Sequence, residues 1–150
     1  MKKILLSPLA LVSLVTSCLA NPLPQTVDTS VKAKAEEQLK IQNREIVKLV
    51  VAEISKKLPQ RVDKYTEFVK IENDDLKLLY TYEINTGSKS DKSVREEDKK
   101  RMEGFVVRGI CQTSKRFLES NIDISYIYNS AKSKEELFRF DVTSKDCKYL

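Results

Sequence analysis

The stretch LKLLYTYEIN, residues 76–85, decides the fold because apolar and polar side chains alternate along it. A period of two is typical of a β-strand with one buried face. The preceding run YTEFVKIE, residues 65–72, is rich in β-branched and aromatic residues, and Asn73-Asp74-Asp75 has the composition of a turn. Together these stretches predict a β-hairpin over residues 65–85.

The same alternation returns nearer the C-terminus. Ile122, Ile124, Tyr126 and Tyr128 occupy every second position of one run, and residues 137–142 (LFRFDV) alternate again after the loop NSAKSKEE. A second hairpin is therefore predicted.

A helix is predicted before each hairpin. Residues 31–58 carry apolar side chains at three- and four-residue steps, and Pro59 stops that helix. In the second helix, Ser93 and Glu96 form a capping-box pattern. The apolar stripes predicted to face the core are Leu39, Ile46, Val47, Val50, Val51, Ile54 and Leu58 in the first helix, and Met102, Phe105, Val106, Gly109, Ile110 and Phe117 in the second.

The second helix is expected to break between residues 109 and 113 and to end at Asn121 as a C-terminal cap. The element order is then α-ββ-α-ββ. It predicts an α+β fold in which a small, mostly antiparallel sheet of four to five strands carries its helices on one face. Residues 31–150 are the length of a single domain.

The N-terminus has the composition of an export signal. Met1-Lys2-Lys3 is basic and residues 4–15 are mostly apolar, so residues 1–17 predict a signal peptide. Val15-Thr16-Ser17-Cys18 has the pattern of a lipobox, which would acylate Cys18 and anchor the protein to the outer membrane, facing the periplasm. The alternative is cleavage before Asn21, which would discard Cys18. Residues 18–30 are predicted to be a flexible tether.

Either cleavage leaves Cys111 and Cys147, which are 36 positions apart. In an oxidising compartment they predict a structural disulfide between the second helix and the end of the last strand. Two buried free thiols or a redox pair are the alternatives.

Composition disfavours several function classes. Basic residues number 27 and acidic residues 22, and loss of Lys2 and Lys3 with the signal lowers the net charge from +5 to +3, which is too mild for a nucleic-acid partner. The chain has no His and only three Gly, so His-based catalysis and Gly-rich phosphate loops are absent. Acidic clusters lie only at turns and helix starts, where acids are structurally favoured. We therefore expect no enzyme activity, no cofactor and no metal site.

Binding remains as the expected activity. Tyr80, Tyr82, Tyr126 and Tyr128 fall on the apolar faces of two predicted strands. These side chains either pack in the core or form a surface or groove that holds an apolar peptide of a partner protein.

The chain resembles the small disulfide-bonded α/β pilotin lipoproteins of type II secretion systems over most of residues 40–150. The resemblance rests on element order and cysteine positions, whereas the tether and first helix are longer and more charged than it implies. The matching pieces are Cys18, Lys56-Lys57-Leu58-Pro59, Tyr65 to Ile84, Ile110-Cys111, Leu118 to Tyr128 and Phe138 to Cys147.

The resemblance implies a lipoprotein that binds the C-terminal segment of a secretin subunit and assists its delivery to the outer membrane. It makes Cys18 the lipid site and Cys111–Cys147 the bridge, and Leu19 after Cys18 would favour outer-membrane sorting. A periplasmic inhibitor, or an immunity or exclusion lipoprotein that binds an enzyme or a transfer apparatus, is the alternative function.

Overall fold

The fold is α+β, as predicted, in a computed structural model that describes residues 29–148. The predicted order of helices and hairpins is confirmed, with one short additional strand and a short additional helix. In chain order the elements are α1 (Thr29–Ser55), β1 (Gln60–Arg61), β2 (Thr66–Asp74), β3 (Lys77–Ile84), α2 (Asp91–Thr113), α3 (Lys115–Glu119), β4 (Asp123–Ser130) and β5 (Glu136–Val142).

The five strands form one sheet in the order β1-β2-β3-β4-β5. Neighbours run antiparallel except β3 and β4, which are parallel because the connection through α2 and α3 carries the chain back across the sheet. The first hairpin turns one residue later than expected, since Asp74 still pairs with Lys77 and Asp75 takes the positive φ of 48°. The sheet is mostly antiparallel, as predicted.

Both long helices pack on the same face of the sheet. α1 lies over β2 and β3, whereas α2 lies over β5. Val47 of α1 and Val94 of α2 belong to one buried cluster with Leu78 and Phe138, which extend from the sheet. The predicted single-sided arrangement of the helices is therefore confirmed.

α1 buries fewer residues than its apolar stripe predicts. The first side chain to be buried is Asn43, whose amide donates to the carbonyl oxygen of Ser120 at 2.7 Å, and none of residues 29–42 is buried. Leu39 and Ile46 are consequently exposed, so their assignment to the core was wrong. Leu39 lies before the first buried residue of α1, whereas Ile46 lies between buried Asn43 and Val47 on a side of the helix that the sheet does not cover.

α1 ends at Ser55, three residues before the predicted end. Helical dihedral angles are unfavourable for the residue before a proline, so α1 ends ahead of Pro59.

α2 also departs from its prediction. Its N-cap is Ser90, whose hydroxyl accepts from the backbone N–H of Ser93, so the cap lies three residues earlier than the capping-box pattern indicated. The helix runs through Gly109 without a break and is interrupted only at Ser114. Phe105 was predicted to face the core, yet 76% of it is exposed. The positive φ of Asn121, 58°, is typical of the helix-ending role predicted for that residue.

A disulfide joins Cys111 of α2 to Cys147, with 5.4 Å between the two Cα atoms. The bridge fastens α2 to the segment after β5, which confirms the predicted pairing. Beside it lies a second buried cluster that includes Ile110, Leu118 and Ile124. We call the bridge and this cluster the disulfide end; a cavity of 520 Å³, lined by Cys111, Leu118 and Cys147, lies beside the bridge.

Candidate functional site

On the helical face of the sheet, α1 lies over β2 and β3 and α2 lies over β5, and the tyrosines of β3 and β4 pack together with residues of both helices. α1 and α2 flank the central strands, and Tyr80 of β3 is paired in register with Tyr126 of β4. Both tyrosines are half-buried and pack against the core cluster rather than inside it. We define the groove by its floor of Tyr80, Tyr82 and Tyr126 and by the walls that α1 and α2 provide.

Two contacts fix the rotation of α1 above the sheet. Asn43 bonds Ser120, which precedes β4, whereas the Nε of Arg44 lies 2.6 Å from an Oδ1 of Asp75 in the β2–β3 turn. Successive residues of a helix are rotated by about 100° around its axis. Because Arg44 points to the β2–β3 turn and Asn43 to the residues before β4, the side of α1 that lies beyond Asn43 faces toward β4 and α2. Ile46 and Val50 lie on that side, and Leu49 lies at its solvent-facing edge, about 160° around the helix from buried Val47. We call these three residues the first wall.

A cavity of 650 Å³ lies between α2, the start of β2 and the end of β3. Arg101 and Met102 line it together with Thr66 of β2 and Ile84 of β3, and Met102 also packs against the core cluster. Phe105 lies about one turn after Met102 and is 76% exposed. We call Met102 and Phe105 the second wall.

The floor of the groove is part of a continuous aromatic layer. The ring centroids of Tyr82 and Tyr126 are 5.0 Å apart, and Tyr80 and Tyr126 are separated by 5.1 Å. Phe68 stacks on Tyr82 at 5.0 Å, and Tyr128 stacks on it from the other side at 5.1 Å. Such contacts hold each ring in place, so the floor is rigid before any partner arrives.

The floor is uncharged over the physiological pH range. Burial raises the pKa of Tyr80 to about 12, and the ring of Tyr126 beside it acts in the same direction. Burial likewise raises the pKa values of Tyr82 and Tyr128, again with a contribution from Tyr126. A neutral aromatic floor favours apolar side chains over charged ones.

Charges at the cavity mouth are paired with one another. The Nζ of Lys89 lies 3.0 Å from Glu97, and the guanidinium of Arg101 lies 2.6 Å from Asp98. The hydrogen bond from Lys89 holds the pKa of Glu97 below its usual range. Because these opposite charges offset each other, the rim adds little net attraction for an acidic or basic ligand.

The structure brings the four predicted tyrosines into one layer but gives them different exposure. Tyr82 and Tyr128 are buried, whereas Tyr80 and Tyr126 are partly accessible from the groove. Their role in partner binding stays a prediction.

The sequence indicated the exposed apolar side chains of the two helices only in part, since it assigned Ile46 and Phe105 to the core. Leu49 is 65% exposed and Phe105 76% exposed, and Ile46 completes this unpartnered apolar set. A signal was present in Leu49, which lies off the main apolar stripe of α1. Apolar side chains spread over a wider arc than one sheet can cover indicate a second contact surface.

The lipobox and Cys18 lie outside the described residues. Within residues 29–148, no helix is both long and apolar enough to cross a bilayer. The same part of the chain holds no group of three or more Cys, Asp or Glu side chains arranged to bind a metal ion.

Comparison with known proteins identifies the fold but no sequence family. No protein-family model matches the chain, and no curated protein sequence matches it. Three solved structures share the fold.

The pilotin EpsS of the Vibrio vulnificus type 2 secretion system has a TM-score of 0.57 and 13% identity, covering 77% of this chain and 97% of its own. The type II secretion pilotin AspS of Vibrio cholerae has a TM-score of 0.60 and 12% identity, covering 75% and 99%. A candidate secreted protein of Pseudomonas aeruginosa has a TM-score of 0.64 and 10% identity, covering 73% and 96%. The predicted likeness to the type II secretion pilotins is confirmed at the level of the fold.

Proposed function

We propose that this protein is a pilotin-like binding protein whose inter-helix groove holds an apolar segment near the C-terminus of a secretin subunit. It assists the delivery or assembly of that subunit at the outer membrane. The observation that carries the proposal is the groove itself: an uncharged aromatic floor between two walls of exposed apolar side chains, Ile46, Leu49 and Phe105.

Exposed apolar walls of this kind are costly unless a partner covers them. Leu49 and Phe105 present large apolar side chains to water, at 65% and 76% exposure. Large exposed apolar patches rimmed by polar residues mark protein-binding sites, and helix-lined grooves take the apolar face of a peptide. The chain shares its fold with the pilotins EpsS and AspS, and this supports a secretin segment as the partner.

The proposed anchor is an acylated Cys18, which would hold the protein on the periplasmic side of the outer membrane. Export of the chain agrees with the disulfide between Cys111 and Cys147, because such bridges persist in oxidising compartments. Substitution of Cys18 by Ser should abolish labelling of the protein with a fatty-acid probe. Retained labelling would contradict the lipobox.

The protein acts by binding, with no chemical step. Its concave surface presents aromatic and aliphatic side chains, and the charges at the mouth are engaged in ion pairs.

The test is a complementation experiment in a strain that lacks the protein. The full chain carrying Phe105→Asp should fail to restore secretin multimers in the outer membrane, because a carboxylate on the groove wall would oppose an apolar ligand. Phe105 is 76% exposed, so the variant should remain folded.

The matched control is Ile41→Asp, at an exposed apolar residue of α1 outside the groove, and it should restore the multimers fully. Normal multimers in the deletion strain itself would refute the pilotin role. If the deletion instead released an enzyme or a transfer apparatus from inhibition, the alternative of an inhibitor or immunity protein would replace it.

A further inference from the structure

The cavity beside the disulfide bridge has the size and the floor of a small-molecule site. Its volume is 520 Å³, and its lining comes from the end of α2, from α3 and from the segment that follows β5. Cys111 and Leu118, both buried, line it together with Cys147. Small-molecule pockets have volumes of about 300–1,000 Å³ and are mostly apolar. The cavity is therefore large enough to hold a small ligand on an apolar floor.

Basic side chains line the same cavity. Arg108 of α2, Lys115 of α3 and Lys148 after β5 belong to its lining, and Glu119 is the acidic side chain among the described residues that line it. Lys115 lies 3.7 Å from Glu119. Within residues 29–148, Arg108 and Lys148 have no acidic partner within 4.0 Å. Three cations against one carboxylate leave the cavity with a net positive charge.

This charge distinguishes the cavity from the one between α2, β2 and β3, where the basic side chains are held in ion pairs. Asp146 lies in the same C-terminal segment as Lys148, but its carboxylate accepts hydrogen bonds from the backbone N–H and the hydroxyl of Thr143. A guanidinium without a carboxylate partner binds a carboxylate or phosphate through charge-assisted hydrogen bonds. The cations therefore favour an anionic ligand.

We propose that this cavity binds an anionic amphiphile, a small molecule with one acyl chain and a carboxylate or phosphate head. The chain lies on Leu118 and the disulfide, where burial of its apolar surface is favourable. The head is held by Arg108 and Lys148. The inference goes beyond the binding of a secretin segment and does not depend on it, because none of the floor and wall residues that define the groove lines this cavity.

A peptide fits the cavity less well than an acyl chain does. Each residue of a peptide brings a backbone N–H and a carbonyl oxygen, and these groups need hydrogen-bond partners when they are buried. Among the described residues, the neutral polar side chains that line the cavity are Gln112 and Ser144. An acyl chain needs no such partners, and its single charged head matches the cations of the lining.

The chain offers a matched pair of double variants. Arg108→Gln with Lys148→Gln removes two cations from the lining, and both side chains are exposed, so the fold should be retained. The control is Arg116→Gln with Lys145→Gln, which removes an exposed Arg from α3 and an exposed Lys from the C-terminal segment, both outside the lining. The two double variants have the same net charge and differ in whether the lost cations face the proposed ligand.

The experiment is a calorimetric titration of the full chain carrying Cys18→Ser, purified without detergent because detergent would compete for the cavity. The probes are decanoate and decyl phosphate below their micellar concentrations, and each should saturate a single site. The double variant in the lining should weaken both probes tenfold or more, since a hydrogen bond to a charged group contributes about that much to affinity. The control variant should bind them like the unmodified lining.

Two further probes separate the head from the chain. Decyl maltoside has the same chain with a neutral head, and acetate has the carboxylate without the chain. Both should bind at least tenfold more weakly than decanoate. Of the two anionic probes, tighter binding of decanoate would indicate a fatty acid as the ligand, and tighter binding of decyl phosphate a phosphate-headed lipid.

Several results would overturn the inference. Absence of saturable binding of decanoate and decyl phosphate would do so directly. Equal weakening in both double variants would mean that the probes follow the overall positive charge rather than the cavity. Equal affinity for decyl maltoside would remove the role of the cations, and equal affinity for acetate that of the apolar floor. Tighter binding of a hexaglutamate peptide than of either amphiphile would assign the cavity to an acidic peptide instead.

Discussion

The two ends of the groove-bearing face differ in how completely they are covered. At the disulfide end, Leu118 and Ile124 are at most 2% exposed, and a covalent bridge joins α2 to the segment after β5 beside them. In the groove, Leu49 and Phe105 are more than half exposed although they are equally apolar. Apolar side chains stabilise the fold at the disulfide end and remain exposed to solvent in the groove.

This difference predicts that stability and binding depend on different residues. Substitutions at the disulfide end should change the free energy of unfolding and affect binding only through it. Substitutions on the groove walls should change binding and leave the free energy of unfolding nearly untouched. Each prediction below tests one side of that division.

The largest effect on stability is expected from loss of the bridge. Replacement of Cys111 and Cys147 by Ser should lower the free energy of unfolding by about 3–4 kcal/mol, because the disulfide closes a loop of 36 residues in the unfolded chain. Urea denaturation of the purified protein measures this change. Reduction of the unmodified protein should reproduce it, and equal stability in both redox states would contradict the structural role of the bridge.

A core truncation should come next. Ile124→Ala removes buried methyl groups at a site with no exposed surface and should cost about 3 kcal/mol. The matched change Leu49→Ala, on the groove wall, should alter stability by less than about 0.5 kcal/mol. Equal losses at the two positions would mean that the groove is part of the stabilising core, and the division between the two ends would fail.

Alkaline pH should act on the floor of the groove. Burial raises the pKa of Tyr80 to about 12, so unfolding allows this tyrosine to ionise near its ordinary pKa of 10. The contribution of the neutral Tyr80 hydroxyl to the free energy of unfolding is complete below pH 10 and is lost as the pH rises through 12. Between these values, Tyr80→Phe should flatten the fall in stability by about 1.4 kcal/mol per pH unit, measured by urea denaturation at several pH values. An unchanged slope would contradict the burial of this hydroxyl.

The strands could be predicted from the sequence because the alternation of residue types along one short segment identifies its buried face. Leu78 and Tyr82 alternate with polar residues, and the buried face follows directly from that alternation. The disulfide could also be predicted, since acylation or loss of Cys18 leaves Cys111 and Cys147 as the two cysteines free to pair.

The groove could not be predicted because it depends on where the helices end relative to the sheet. Leu39 and Ile46 satisfy a helical stripe as well as Val47 does, yet Leu39 precedes the buried part of α1 and Ile46 lies on a side of the helix that the sheet does not cover. The sequence records the period of an apolar pattern but not the length of the surface available to cover it. Because β4 pairs in parallel with β3, α1 and α2 lie over different strands of the sheet. That pairing joins residues far apart along the chain.

Photo-crosslinking in living cells tests most directly whether the groove holds a secretin segment. A photoreactive amino acid replaces Phe105 in the full chain, and in a control chain it replaces Arg139, on the opposite face of the sheet from Phe138 and Phe140. Position 105 should yield a crosslinked product that contains the C-terminal segment of the secretin, and position 139 should not. Absence of secretin from the product at position 105, or equal yields from both positions, would contradict the account.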